Sequence, residues 1–458
     1  MNDITAFFAF LRYCLGYKGD MSRVVASMDW QMLYSFASKQ ALLGLCFEGI
    51  ERLGKEYPEE LKRNPIGREL LMTWMGKAQQ IRRQNMKVNT VAGKLFSMLR
   101  EDGLRCCVLK GQGNALMYPN PYSRTSGDID VWIDASRERI MEYAQKKFEL
   151  GDDIRLQHLE TSLDGVPVEL HFFPRSMNNP IYHARLQKWF RRNADLQCSH
   201  IVGLPDGAGD IAIPTTAFNV IYQLTHLYHH FFDEGIGMRQ IIDYFLVVND
   251  FSKNVFLNND LSNHPVNFSN HPVPLSKEGS TFSPSPSSSG SGDVTAPSRC
   301  SEPLRSKDGG PSKVSPDCAG WDRLAIEGDN SAGSTTVVTS SASTALDVVQ
   351  KELKYLGLWK FAGAVMYVLH EALGLPEEKM IAPMDEKRGK LLLAEILNGG
   401  NFGQHFTKYG HFTQQGMAKK YFLKIWRNMH FVRFYPDEAL SEPIFRTWHF
   451  FWRLKYRR

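Results

Sequence analysis

The stretch Gly127-Asp128-Ile129-Asp130-Val131-Trp132-Ile133 sets two carboxylates one residue apart in an otherwise largely apolar run. In an extended chain, residues two apart point to the same side. Asp128 and Asp130 would therefore project together, with Ile129 and Val131 packing behind them. Two carboxylates held that close repel unless a cation lies between them. Mg²⁺ takes oxygen ligands, commonly one or two carboxylates plus the phosphates of a substrate. The pair fits a metal-assisted phosphoryl or nucleotidyl transfer site. Taken alone it equally describes a solvated strand end or a turn, because the DxD pattern is common.

The surroundings sharpen the reading. Lys110-Gly111-Gln112-Gly113 follows the apolar run 104–109 and precedes a short helical pattern. Gly111 and Gly113 would let backbone amides approach phosphate oxygens, and a helix N-terminus favours negative charge. Downstream, Glu169 lies in Val168-Glu169-Leu170-His171. Flanked by apolar residues, it is the candidate third carboxylate, and His171 shares its face by the period-two rule. The alternative for Glu169 is a surface position on an edge strand.

These residues need elements to hold them. Residues 1–101 read as helical, with Leu71, Trp74, Ala78, Ile81, Val88, Val91 and Leu95 among the apolar positions three or four apart. Strands are expected at 104–109 and 128–133, a helix at 137–148, and strands at 154–163 and 166–173 joined by a turn at Asp164-Gly165. Residues 215–250 return to helix, broken at Gly235 and Gly237. From 251 to 343 Ser, Pro, Asn, Gly and Thr dominate, a composition expected to form a disordered insertion. Helical pattern resumes at Leu346, with breaks at Asn398-Gly399-Gly400 and Tyr435-Pro436. The fold expected is α+β: a small mixed-sheet core at 102–214, between an N-terminal helical region (1–101) and a C-terminal helical domain (215–250 and 344–458).

The segments around Leu109-Lys110-Gly111, 118–134 and 166–172, together with helical segments at 28–45, 223–245 and 434–452, resemble the uncharacterised nucleotidyltransferase family of the DNA polymerase beta-like superfamily. The resemblance extends over nearly the whole chain outside 251–343. It implies that Asp128 and Asp130 bind two Mg²⁺ (or Mn²⁺) ions, with Glu169 on the catalytic one. It implies a nucleoside triphosphate donor and a hydroxyl acceptor, which could be a small molecule, a sugar, an RNA end or a protein. Two departures stand out: Gln112 occupies a position where the superfamily usually has a small residue, and the third acid is Glu rather than Asp. Lys110 and Arg124 are the nearest cations and are assigned to phosphate charge, with a surface role as the alternative. A nucleotide-binding regulator without turnover and a toxin-like RNA-modifying enzyme are the competing readings.

Further candidates are the helical histidines His226, His229 and His230, with Asp233, Glu234 and Arg239 close by. They could be packing residues, a cleft lining or a weak zinc site. The tail 418–458 interleaves basic and aromatic residues. That pattern fits a packed amphipathic helix first and single-stranded nucleic acid second. A net charge of +5 is too small to argue for nucleic acid by itself. Seven cysteines without a CxxC pair argue against a disulfide framework or zinc knuckle and fit a reducing cytoplasm. The N-terminus lacks a basic segment ahead of its apolar residues, unlike a signal peptide. No apolar run approaches the ~18 residues of a membrane span.

Overall fold

The computed structural model describes residues 3–150, 155–260, 345–404 and 417–456, all within one compact unit made of Met1–Asn270 and Ser343–Arg458. The N-terminal helices are Asp3–Cys14 (α1), Ser22–Ala26 (α2), Trp30–Lys39 (α3), Leu43–Glu56 (α4), Pro58–Arg63 (α5) and Arg68–Glu101 (α6). Then come Cys106–Leu109 (β1), Gly111–Ala115 (α7), Ile129–Ile133 (β2), Arg137–Lys147 (α8), His158–Leu163 (β3) and Val166–His171 (β4). Helix α9 (Pro180–Ser199) leads to a small hairpin of β5 (Ile201–Gly203) and β6 (Asp210–Ala212). The remaining helices are Thr216–Asp233 (α10), Met238–Asp260 (α11), Ala345–Tyr355 (α12), Trp359–Leu373 (α13), Glu386–Gly399 (α14), Met417–Met429 (α15) and Pro436–Tyr456 (α16).

The sheet has four strands in the order β1-β2-β4-β3. β1 and β2 are antiparallel, β2 and β4 parallel, and β4 and β3 antiparallel. A small mixed sheet set among helices is the α+β architecture expected. Alternation sorts its two faces. Ile129, Val131 and Ile133 of β2, with Val166, Val168 and Leu170 of β4, bury against Val88, Val91, Leu95 and Phe96 of α6. The opposite face carries Trp132, whose ring stacks on Phe218 of α10 at 6.3 Å. Asp130, Glu169 and His171 alternate onto that second face.

Two expectations change. The helix expected to stop at 250 runs to Asp260, because Phe251 is still buried and the Ser252 hydroxyl bonds to Val248 O (2.9 Å) and Lys379 O (3.0 Å). The disorder expected beyond it falls, from 261 to 343, outside the described residues. The strand expected from 154 begins at His158, and residue 154 is itself outside them. Among the described residues Cys14, Cys46, Cys106, Cys107 and Cys198 are free, and no helix is long and apolar enough to cross a membrane.

Candidate active site

Strand register assembles the carboxylates. Asp130 and Glu169 are directly paired across the parallel β2–β4 ladder. Asp128 lies just before β2 begins, partly exposed, whereas Asp130 is 2% exposed. One carboxylate oxygen from each of Asp128, Asp130 and Glu169 lies within 4.8 Å of the others.

The charges divide unequally. Asp130 Oδ2 sits 3.0 Å from Lys110 Nζ and Oδ1 3.1 Å from His171 Nε2. Burial works against its charge, yet Lys110 and His171 hold its pKa well below the usual carboxylate range. The Asp130 carboxylate then pushes Asp128 up to about 6, with burial and Glu169 acting in the same direction. Burial and Asp130 oppose ionisation of Glu169, but the hydrogen bond from His171 and the nearness of His158 keep it below its ordinary value. Like charges in one low-dielectric site thus separate into two firm anions and one group that titrates near neutrality.

His171 links the two firm anions. Its Nε2 lies 3.1 Å from both Asp130 Oδ1 and Glu169 Oε2. Gln157 Nε2 donates to Pro174 O at 3.0 Å and lies 3.1 Å from His171 Nδ1. With an N–H pointed at Nδ1, the neutral ring carries its proton on Nε2, a tautomer inferred from these donors. His158, Glu169 and His171 also bring ligand atoms within 4.8 Å of one another. In that tautomer, however, His171 Nε2 is a hydrogen-bond donor rather than a metal ligand. Burial first, then His171, lowers His158 to about 4, leaving it neutral.

The glycine turn is present but serves two purposes. Lys110 (φ 46°) and Gly111 (φ 49°) turn the chain from β1 into α7, which sets the Lys110 ammonium on Asp130. A non-glycine residue there stores ~1–3 kcal/mol of strain. Gly111 lines the cleft. Gly113 is not brought to it: the residue is buried, and a Cβ there would stand 2.9 Å from Ile213 Cγ2, so its smallness serves packing. The buried Gln112 amide bonds to Asn89. Arg124 differs from the simple phosphate contact expected, because its Nε and Nη2 each donate to Asp243 at 2.8 Å. Its Nη1 stays buried without a partner and the residue lines the cleft. Asp164, in the β3–β4 turn, pairs with Lys94 at 2.6 Å and does not line the cleft.

The acids sit in a cleft of about 580 Å³ whose helical wall includes His226, His229 and His230. Burial drives His226 and His229 well below the histidine range, so they line it as neutral groups. They form no described group of three metal-ligand atoms. Residues of the basic tail close another side: Lys424 and Arg446 reach Asp233 at 2.7 and 3.0 Å. Sequence reading missed Asp243, Gln157, His158 and Arg175. Asp243 left one signal, a lone charge inside the apolar run Ile241-Ile242-Asp243-Tyr244-Phe245.

A family model described as an uncharacterised nucleotidyltransferase matches residues 26–262, more than half of the chain. The match is shorter than the span over which the sequence resembles that family, and it contains Lys110 and all three candidate acids. No curated protein and no solved structure matches the chain.

Proposed function

The chain belongs to the uncharacterised nucleotidyltransferase family, and we propose that it moves a nucleoside monophosphate from a nucleoside triphosphate to a hydroxyl acceptor with release of pyrophosphate. The observation that carries this reading is the convergence of Asp128, Asp130 and Glu169 beside Lys110 in one cleft. The donor set fits a hard divalent cation, Mg²⁺ or Mn²⁺: it is all carboxylate oxygen, the like charges already push Asp128 up, and the buried Asp130 Oδ2 makes no aligned hydrogen bond. Asp128, Asp130 and Glu169 would hold it, and when bound it supplies positive charge to the triphosphate and the leaving group.

The chain's own groups account for the rest. Asp128 is deprotonated above about pH 6 and completes the anionic face. His171 fixes Asp130 and Glu169 relative to each other. Glu169 takes the proton of the acceptor hydroxyl as its oxygen bonds to the α-phosphorus. The bond between the α-phosphorus and the bridging oxygen breaks, and pyrophosphate leaves with that oxygen. Gly111 lets the nucleotide approach the backbone, and the Gln112 side chain is turned away toward Asn89.

The test is a screen of labelled ATP, GTP, CTP and UTP against cell extract, reading pyrophosphate release, beside thermal melts with Mg²⁺ or Mn²⁺ and nucleotide. A ligand that binds only the folded state raises Tm. The Asp128→Asn, Asp130→Asn double variant is expected to lose the release and the metal-dependent part of the shift. An undiminished shift in that variant would place the nucleotide elsewhere.

A further inference from the structure

The wall of the cleft holds two buried guanidinium groups that form no ion pair among the described residues. Arg175, just after β4, and Arg239, in the first turn of α11, are each 8% exposed, and both line the cleft. Arg175 Nη2 lies 3.3 Å from His230 Nε2. Arg239 Nη1 donates to Thr125 O at 2.9 Å, and its guanidinium lies 5.5 Å from the centre of the Phe402 ring. Among the described residues neither arginine has a carboxylate oxygen within 4.0 Å, and the buried Nε of each has no hydrogen-bond partner. The third guanidinium on this wall, Arg124, has Asp243 as its partner but leaves Nη1 unpaired. His230 beside Arg175, held neutral by burial, supplies no negative charge.

Guanidinium stays protonated in proteins, and a buried charge without a counter-ion is costly. Its planar fork matches phosphate oxygens, and a phosphate entering the cleft would satisfy the idle N–H groups and cancel the charge together. We propose that Arg175 and Arg239, helped by Arg124 Nη1, form a binding pocket for a phosphate group. The pocket deepens the transfer reading and rests on it only for the carrier of that phosphate, which is the donor nucleotide's own terminal phosphate or a phosphate on the acceptor.

The full chain, freed of metal, is titrated with tripolyphosphate by calorimetry and thermal melts. Wild type is expected to bind and to gain Tm. Arg175→Gln and Arg239→Gln should each weaken binding ~10-fold or more, the usual scale for a lost charged hydrogen bond. Ligand-free Tm should hold or rise, because an unpaired buried charge has gone. Arg175→Lys, which keeps the charge and loses the fork, should fall between and guards against a folding defect. Undiminished affinity in the double Gln variant, with or without a lower ligand-free Tm, overturns the pocket. With Mg²⁺ and a non-hydrolysable ATP analogue at saturation, pyrophosphate that no longer binds assigns the pocket to the donor. Pyrophosphate that still binds, and is lost in the double variant, assigns it to the acceptor. Arginine-dependent tripolyphosphate binding without any binding of the analogue would sink the transfer reading and leave the pocket standing.

Discussion

Among the three candidate acids, Asp128 is the one whose charge changes nearest neutral pH. Its pKa in the fold is raised to about 6, against the ordinary value near 3.8 that it regains on unfolding. A raised carboxyl pKa means the native state holds the extra proton between those values. Its contribution to stability is present below the unfolded value and is lost as pH rises toward about 6. Metal-free Asp128→Asn should therefore melt higher than wild type above pH 6, the gain vanishing toward pH 4. Mn²⁺ affinity of wild type should climb across pH 5–7, since the ligand must be deprotonated, and that climb should flatten in the variant. Melts and Mn²⁺ titrations over this range decide it, and a wild type that outlasts Asp128→Asn at pH 7.5 without metal would refute the charge argument. Glu169→Gln should keep fold and nucleotide binding yet lose pyrophosphate release by ~100-fold or more, the low end for a positioned acid–base group. Asp164→Asn, out on the turn with Lys94, should stay near wild type. The reverse pattern would move the third acid to the turn. The three acids were legible because strand alternation fixes the side from which a carboxylate projects. The bond from Arg124 to Asp243 was not, since that partner lies 119 residues away and nothing local announces it. Gly113 looked like a phosphate glycine because sequence cannot show Ile213 standing against it.

At the scale of elements, the order strand, short helix, strand, helix, strand, strand was readable, because hydrophobic period and turn residues are local signals. The pairing of β2 with β4 was not, because register is set by the completed sheet; it is this pairing that puts Glu169 beside Asp130, while the β3–β4 hairpin sets His158 beside His171. The two glycine breaks, at 235–237 and 398–400, could be seen singly, and the fold brings them together. A Cβ on Gly237 would stand 2.7 Å from Asn401 Cα and 3.0 Å from its N, so the start of α11 meets the segment after α14 backbone to backbone. That contact places Phe402, held at φ 52°, under Arg239. Gly237→Ala is expected to cost ~1–3 kcal/mol, as overpacking does, and to weaken tripolyphosphate binding by displacing the arginine. Gly76→Ala, on the exposed face of α6 with nothing within 4 Å, should instead gain up to ~1 kcal/mol from helix propensity. Chemical denaturation of the two variants checks both signs, and equal losses would mean the close approach at Gly237 does not constrain the site.

Across the whole molecule, the family match ends at 262, before the C-terminal helices that form part of the cleft wall. The sequence showed that 418–458 could pack as amphipathic helix, and Phe431, Tyr435 and Ala439 are buried in the helical core. It did not show against what, because the partners come from α10 and from the segment before α9. The Glu438 carboxylate accepts hydrogen bonds from the backbone N–H groups of Asn178 (2.7 Å) and Asn179 (3.2 Å). Asp233, the last residue of α10, holds Lys424 of α15 and Arg446 of α16 at once. One carboxylate thus fixes both helices to the wall that also bears the histidines. Each pair is partly exposed, so screening limits it to roughly 1 kcal/mol or less. Losing both raises the open population about tenfold. Asp233→Asn should therefore release a C-terminal fragment to trypsin about tenfold faster at low protease, where cleavage follows the open population. Global Tm should move little, because the buried apolar contacts of α10 remain. Nucleotide affinity should fall in step with the cleavage rate, since Lys424 and Arg446 line the same cleft. Asp164→Asn, which breaks a more exposed pair far from the tail, is the control and should digest like wild type. If Asp233→Asn digests no faster than that control, the C-terminal helices are held by their apolar contacts alone, and Asp233 does not anchor the wall.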